Sequence, residues 1–284
     1  APRTWVPLQR FPSGSTILIL LVPSEHPLIQ SQTARGKCYV VCFHPSHNLT
    51  LAQLTTAPYS AEKHILPVIQ TWKDLYLQIP KENPFIQYVQ IFENKGSAMG
   101  CSNPHPHGQI WSLDYIPEEP GKILRNLRKF ALEPSNYDEK LKPPRDNAGR
   151  PSMLLTYAAY ELSLPDRPRV VEVNDDFVAV VPYWAVWPFE ILLTPYKRQI
   201  TSLEDMNDRE LRSLSEILGK ATCRLDNIFE CSFPYSMGVH QRPVPMGHTG
   251  VTQEVKELGD FAHFHMHFYP PLLRSATVRK FLVG

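Results

Sequence analysis

The run Cys101-Ser102-Asn103-Pro104-His105-Pro106-His107-Gly108-Gln109-Ile110-Trp111 constrains the fold more than any other stretch of this chain. Prolines at 104 and 106 block a helix interior and push the residue before each toward extended backbone. In an extended chain residues i and i+2 share a face, so His105, His107 and Gln109 point to one side of a strand. A neutral imidazole held by a fixed neighbour can attack phosphorus, and an amide beside it can donate to a phosphoryl oxygen. A satisfied strand face or a plain metal pair would use the same histidines. The preceding segment, Phe92-Glu93-Asn94-Lys95-Gly96-Ser97-Ala98-Met99-Gly100, adds an amide, a cation and two flexible glycines. That composition suits a phosphate-contacting loop.

Around this strand the pattern predicts strands over 38–43 and 85–93, with a mostly helical stretch over 51–77 limited by Pro58 and Pro67. The second half repeats the order. Strands fall at 177–181 and 190–194, a long helix at 202–229 with Glu204 and Asp205 in its first turn, and strands at 232–240 and 261–269, the last rich in histidine. Two copies of strand, helix, strand and histidine strand predict an α+β fold, a duplicated unit around antiparallel sheet with packed helices. The expected division is an N-terminal segment 1–23, a first half 24–130 with the active-site strand, an irregular connector 131–165 and a second half 166–284. Proline and charge extend the irregular reading back to 117, and 143–151 reads as an exposed loop.

A net charge of +1 gives no electrostatic footprint for nucleic acid or an acidic membrane. The apolar run from Thr16 to Val22 is far too short to span a bilayer and reads as an internal strand. Five cysteines at irregular spacing are not a disulfide framework, which points to a reduced, cytoplasmic chain.

Residues 92–111 resemble the active-site strand of the galactose-1-phosphate uridylyltransferases, a branch of the histidine-triad superfamily. Residues 184–190, 233–238 and 265–281 match further motifs of that family in order, and the similarity runs from about Ser24 to Gly284. The resemblance implies two tandem histidine-triad-like halves in one protomer, paired as a homodimer. It maps the superfamily pattern His-φ-His-φ-His-φ-φ onto His105, His107 and Gln109, with His107 as nucleophile. It implies ping-pong transfer of UMP from UDP-glucose to galactose 1-phosphate through uridylylated His107. Ser102 and Gln109 would contact the uridylyl phosphate, Asn94 the nucleotide, and Lys280 and Phe281 the hexose phosphate. Glutamine in the third place cannot supply a proton but can hold a phosphoryl oxygen. It therefore favours a covalent intermediate over hydrolysis.

His263-Phe264-His265-Met266-His267-Phe268-Tyr269 fits the same pattern literally and offers His265 as a rival nucleophile of a nucleotide hydrolase. Three aligned imidazoles with His240 upstream also suit a divalent metal. The resemblance implies the metal, zinc or iron, on His240, His265 and His267, with a glutamate as fourth ligand. By spacing that glutamate's place falls near Ile123, with Glu118 and Glu119 the nearest carboxylates. A first zinc site would use His47 and His105 with a C-x-x-C pair from an N-terminal stretch that this chain lacks, and so stands incomplete. The rival readings are a nucleotide-sugar hydrolase or phosphorylase, and a nucleotide-sugar or metal-binding remnant without turnover.

Overall fold

A computed structural model of the chain describes residues 33–133 and 142–271. The expected strand from Thr16 to Val22, and Lys280 and Phe281, lie outside the described residues. Eight strands form one antiparallel sheet. They are β1 (Gly36–Cys42), β2 (Tyr88–Lys95), β3 (His107–Leu113), β4 (Val170–Val173), β5 (Phe177–Val180), β6 (Ile191–Pro195), β7 (Tyr235–His240) and β8 (His265–Tyr269), in the order β1-β3-β2-β7-β8-β6-β5-β4. Two helices, α1 (Leu66–Glu82) and α4 (Asp208–Phe229), each connect a strand to the pair that follows it. Outward from the central β2–β7 seam the strands run β2, β3, β1 on one side and β7, β8, β6 on the other. The expected duplication of strand, helix, strand and histidine strand is thus visible in the topology.

Alternation decides the two faces of the sheet. Val89, Ile91, Ile110, Met237, Val239, Met266 and Phe268 point to one side and are buried against Val68, Ile69, Trp72 and Tyr76 of α1 and Leu211, Leu214, Ile217 and Leu218 of α4. The spacing of three and four in those helices gives each an apolar stripe. Gly219 lets α4 approach the 53–55 turn, where a Cβ would lie 2.0 Å from Thr55 Oγ1.

Four expectations need correction. The helix expected over 51–77 is a 3-10 turn at Gln53–Thr55, a π-turn at Ala61–Ile65, and then α1, which Pro67 opens from its first turn. The helix expected from Ser202 begins at Asp208, capped by Asn207 in a capping box with Glu210. Asp205 instead accepts from the backbone and hydroxyl of Thr201. The stretch 117–165, read as irregular, contains two helices, α2 (Glu118–Leu132) and α3 (Met153–Ser163). In α2 the buried Gly121, Leu124, Leu127 and Ala131 make an apolar stripe among charges, so tertiary contact stabilises a segment whose composition reads as loop. The 143–151 loop is partly buried, since Asp146 accepts from Ala148 and Arg150 and is 8% exposed. A short helix, α5 (Gln253–Gly259), precedes β8. Among the described residues no helix is long and apolar enough to cross a membrane, and all five cysteines are free thiols.

Candidate functional site

Both histidine strands display their imidazoles on the sheet face opposite α1 and α4. Paired residues of antiparallel strands share a face. The register Gln109 to Phe92, Phe92 to Gly238 and Gly238 to His267 therefore puts Gln109 and His267 on the same side. They are three strand spacings apart, about 14 Å.

On the first strand His107 is half-buried and opens β3 opposite Cys42. Its Nδ1 lies 2.7 Å from the His105 carbonyl. A carbonyl only accepts, so Nδ1 carries the proton and the Nε2 lone pair is left for an electrophile. A side chain at Gly108 would be crowded, because a Cβ would meet the Phe43 ring at 3.2 Å and the Phe92 carbonyl at 3.3 Å. The Gln109 Oε1 accepts from Trp111 Nε1 at 3.3 Å, which turns the amide oxygen toward the indole. Asn94 accepts from Ser236 Oγ at 2.6 Å, so the two units meet at this residue across the seam. Ser102 is exposed. Gly96 and Gly100 hold φ of 87° and 81°, as a loop needing glycine requires. Lys95, the cation expected in that loop, is instead buried against Asp226 at 2.8 Å and is not offered to a ligand.

The second strand is closed. His240 and His265 stack at 4.8 Å with an interplanar angle of 7°, and His267 stands perpendicular to both at 5.4 and 5.3 Å. His265 Nδ1 lies 2.7 Å from the His263 carbonyl, repeating the bond that His107 makes. Pro120, Ile123, Leu124 and Leu127 of α2 roof the His240–His265 pair over a cavity of about 10 Å³. Burial pushes His265 down to about 4 and His263 and His267 to about 3; the His265 ring adds to the depression at His263 and His267, while hydrogen bonds to backbone carbonyls oppose it at His263 and His265. His240 is lowered well below the usual range by burial and by His265 and His267. The cluster is therefore neutral. His263 bonds the Pro195 carbonyl through Nε2.

The two expected metal sites fare differently. His47 Nδ1 and His105 Nδ1 are 2.6 Å apart, a hydrogen bond. Two nitrogens on one tetrahedral zinc, each about 2.0–2.1 Å from it, stand about 3.3 Å apart, so this pair does not fit a shared metal. At the second cluster Nδ1 of His240 and of His267 is buried without a hydrogen-bond partner. Glu190, 3% exposed, brings Oε1 to 3.9 Å from His267 Nδ1 while Oε2 accepts from Val186. Neutral imidazoles, orphaned nitrogens and a buried carboxylate are donor chemistry that suits a divalent metal. Even so, among the described residues no three histidine, cysteine or acidic groups converge on one point. Ile123 stands where the spacing put the fourth ligand. Glu118 faces solvent and pairs with Arg125. The Glu190 approach went unnoticed in sequence reasoning, although it lies within the 184–190 motif.

Family models described as the N-terminal and C-terminal domains of galactose-1-phosphate uridyl transferase match residues 16–117 and 137–284. The galactose-1-phosphate uridylyltransferase of Cryptococcus neoformans var. neoformans serotype D is 45% identical over 265 residues, covering 92% of this chain and 62% of that protein. That of Saccharomyces cerevisiae is 43% identical over 266 residues, covering 92% and 63%. A solved structure described as a uridylyltransferase superposes with a TM-score of 0.62 at 25% identity, over 83% of this chain and 64% of that one. The chain thus spans a little under two thirds of the length of these curated relatives.

Proposed function

The chain belongs to the galactose-1-phosphate uridylyltransferase family, and from that premise we propose that it transfers UMP from UDP-glucose to galactose 1-phosphate through a covalent uridylyl-His107. One observation carries the reading. The His105 carbonyl holds the Nδ1 proton of His107, leaving Nε2 unprotonated on an open sheet face. Nε2 attacks the α-phosphorus, the bond to the bridging oxygen breaks, and glucose 1-phosphate leaves with the electron pair. The imidazolium that forms keeps its Nδ1 proton on the carbonyl, whose dipole stabilises the charge. Galactose 1-phosphate then attacks the same phosphorus through a phosphate oxygen and His107 leaves as neutral imidazole, giving UDP-galactose.

In this reading the Gln109 amide and Ser102 hold the nonbridging oxygens and Asn94 the nucleotide. Lys280 and Phe281 serve the hexose phosphate. Residues 24–130 and 166–284 are the two histidine-triad-like halves, and the protein works as a cytoplasmic homodimer. His240, His265 and His267 are the residues that would hold a second divalent cation, zinc or iron. When bound it would fasten β7 to β8, and no chemical step passes through it. A nucleotide-sugar hydrolase is disfavoured, because Gln109 has no proton to give a leaving group.

The test is intact-protein mass after mixing with UDP-glucose. An acid-labile uridylyl adduct on the wild-type chain, absent from folded His107→Ala, is expected. Persistence of the adduct in that variant would remove His107 from its role. A folded wild-type chain that takes no label would replace the reading with a binding remnant.

A further inference from the structure

His105 spends every polar group it has on holding its place. Its backbone N–H donates to Asn103 Oδ1 at 3.0 Å, and its carbonyl takes the His107 Nδ1 proton. Its Nε2 lies 3.0 Å from the His44 carbonyl, which can only accept, so the ring proton of His105 sits on Nε2. In the neutral ring Nδ1 is then an acceptor, and the proton in the 2.6 Å bond to His47 belongs to His47 Nδ1. The 43–47 segment is itself braced. Phe43 N–H donates to the Pro106 carbonyl at 3.1 Å, and Ser46 N–H donates to His44 Nδ1 at 3.0 Å. The rings of His47 and His105 meet edge to face at 4.7 Å and 82°.

We infer that His47 is a positioning residue, a metal-free strut whose imidazole-to-imidazole hydrogen bond fixes His105 so that the His105 carbonyl holds His107 in its Nδ1–H tautomer. The N–N separation, well inside the span of two ligands on one zinc, carries this. The tautomer of each ring follows from what its other nitrogen bonds. The strut matters to catalysis only if His107 is the nucleophile, so it rests on the function proposed above. Its effect on the tautomer does not depend on turnover.

The closing experiment reads ring nitrogens by two-bond proton–nitrogen correlation in chelator-treated, ¹⁵N-histidine-labelled protein, with His107 assigned by its loss in His107→Gln. The wild type is expected to show the Nδ1–H pattern at His107. His47→Ala should average that pattern toward mixed tautomers, and His47→Asn should restore it, because an amide donates to His105 Nδ1 but is no zinc ligand. Uridylyl labelling from UDP-glucose, run alongside, should slow about tenfold to a hundredfold in His47→Ala and recover in His47→Asn. An unchanged His107 pattern in His47→Ala overturns the inference. So does uptake of one equivalent of added zinc chloride with displacement of the His47 and His105 nitrogens. A wild type that takes no label while its tautomers respond as expected would sink the transferase reading and leave the strut standing.

Discussion

His107 and His265 open corresponding strands of the two units, and each hangs its Nδ1 2.7 Å from the carbonyl two residues back. Their surroundings are otherwise opposed. His107 is half-buried at the β1 side of the sheet, where Val40 and Trp111 are 41% and 47% exposed on the same face. His265 is 3% exposed beneath α2 and stacked on His240. The chain that makes the difference is the segment just after β3. It leaves the open strand and lays Ile123, Leu124 and Leu127 over the closed one. The tautomer-fixing bond comes with the strand motif, whereas access to phosphorus depends on what is packed over it. A histidine prepared as a nucleophile but roofed by leucines can only serve structure.

The largest effect that would break this contrast comes from His265→Ala. It should lower stability by about 2–4 kcal/mol through the cavity it leaves, read as a denaturation midpoint, while the uridylyl adduct still forms on His107. Loss of the adduct in folded His265→Ala, with His107→Ala still labelled, would invert the comparison. Gln109→Ala should slow labelling by about 10²–10³, the usual cost of removing one donor to a developing charge. The corresponding His267→Gln should leave the labelling rate unchanged. Quench-flow mass spectrometry distinguishes the two.

Opening the roof sharpens the comparison from the other side. Leu127→Ala should cost about 2 kcal/mol, the lower end for a buried leucine, because Leu127 belongs to a small satellite cluster, and should raise hydrogen exchange in β8, with that of β3 unaffected. The smallest effect concerns the seam. Burial raises the Glu93 carboxyl from 4.5 to about 7, against the Tyr235 hydrogen bond and Lys95 that favour its ionised form. Because the folded value lies above the unfolded one, its contribution is fully present below pH 4.5 and is lost as pH rises through 7. Urea midpoints at pH 5 and pH 8 should differ less in Glu93→Gln than in the wild type. An equal difference would show that Glu93 stays ionised in the seam.

The alternation and proline punctuation around residues 101–111 and 261–269 placed both histidine strands within a few residues of their ends. The family resemblance, mapped by spacing, set Ile123 beside the second cluster, where it lines the cavity with His240 and His265. Helix α2 escaped notice because Pro117, Pro120 and its charges read as loop, and its stripe acquires meaning only against the sheet. The role of Lys95 was misread for a related reason. Asp226, its partner, is 131 residues away and no local pattern announces it.

By itself the sequence determined the strand chemistry: two duplicated units, with the imidazoles and the Gln109 amide on one face. Those are consequences of period-two backbone and side-chain type, which are local. The tertiary structure alone decided which histidine is open, which is roofed, and that His47 meets His105 as a hydrogen-bond partner 58 residues away. Exposure and long-range contact depend on where distant segments pack, and no periodicity along the chain encodes that.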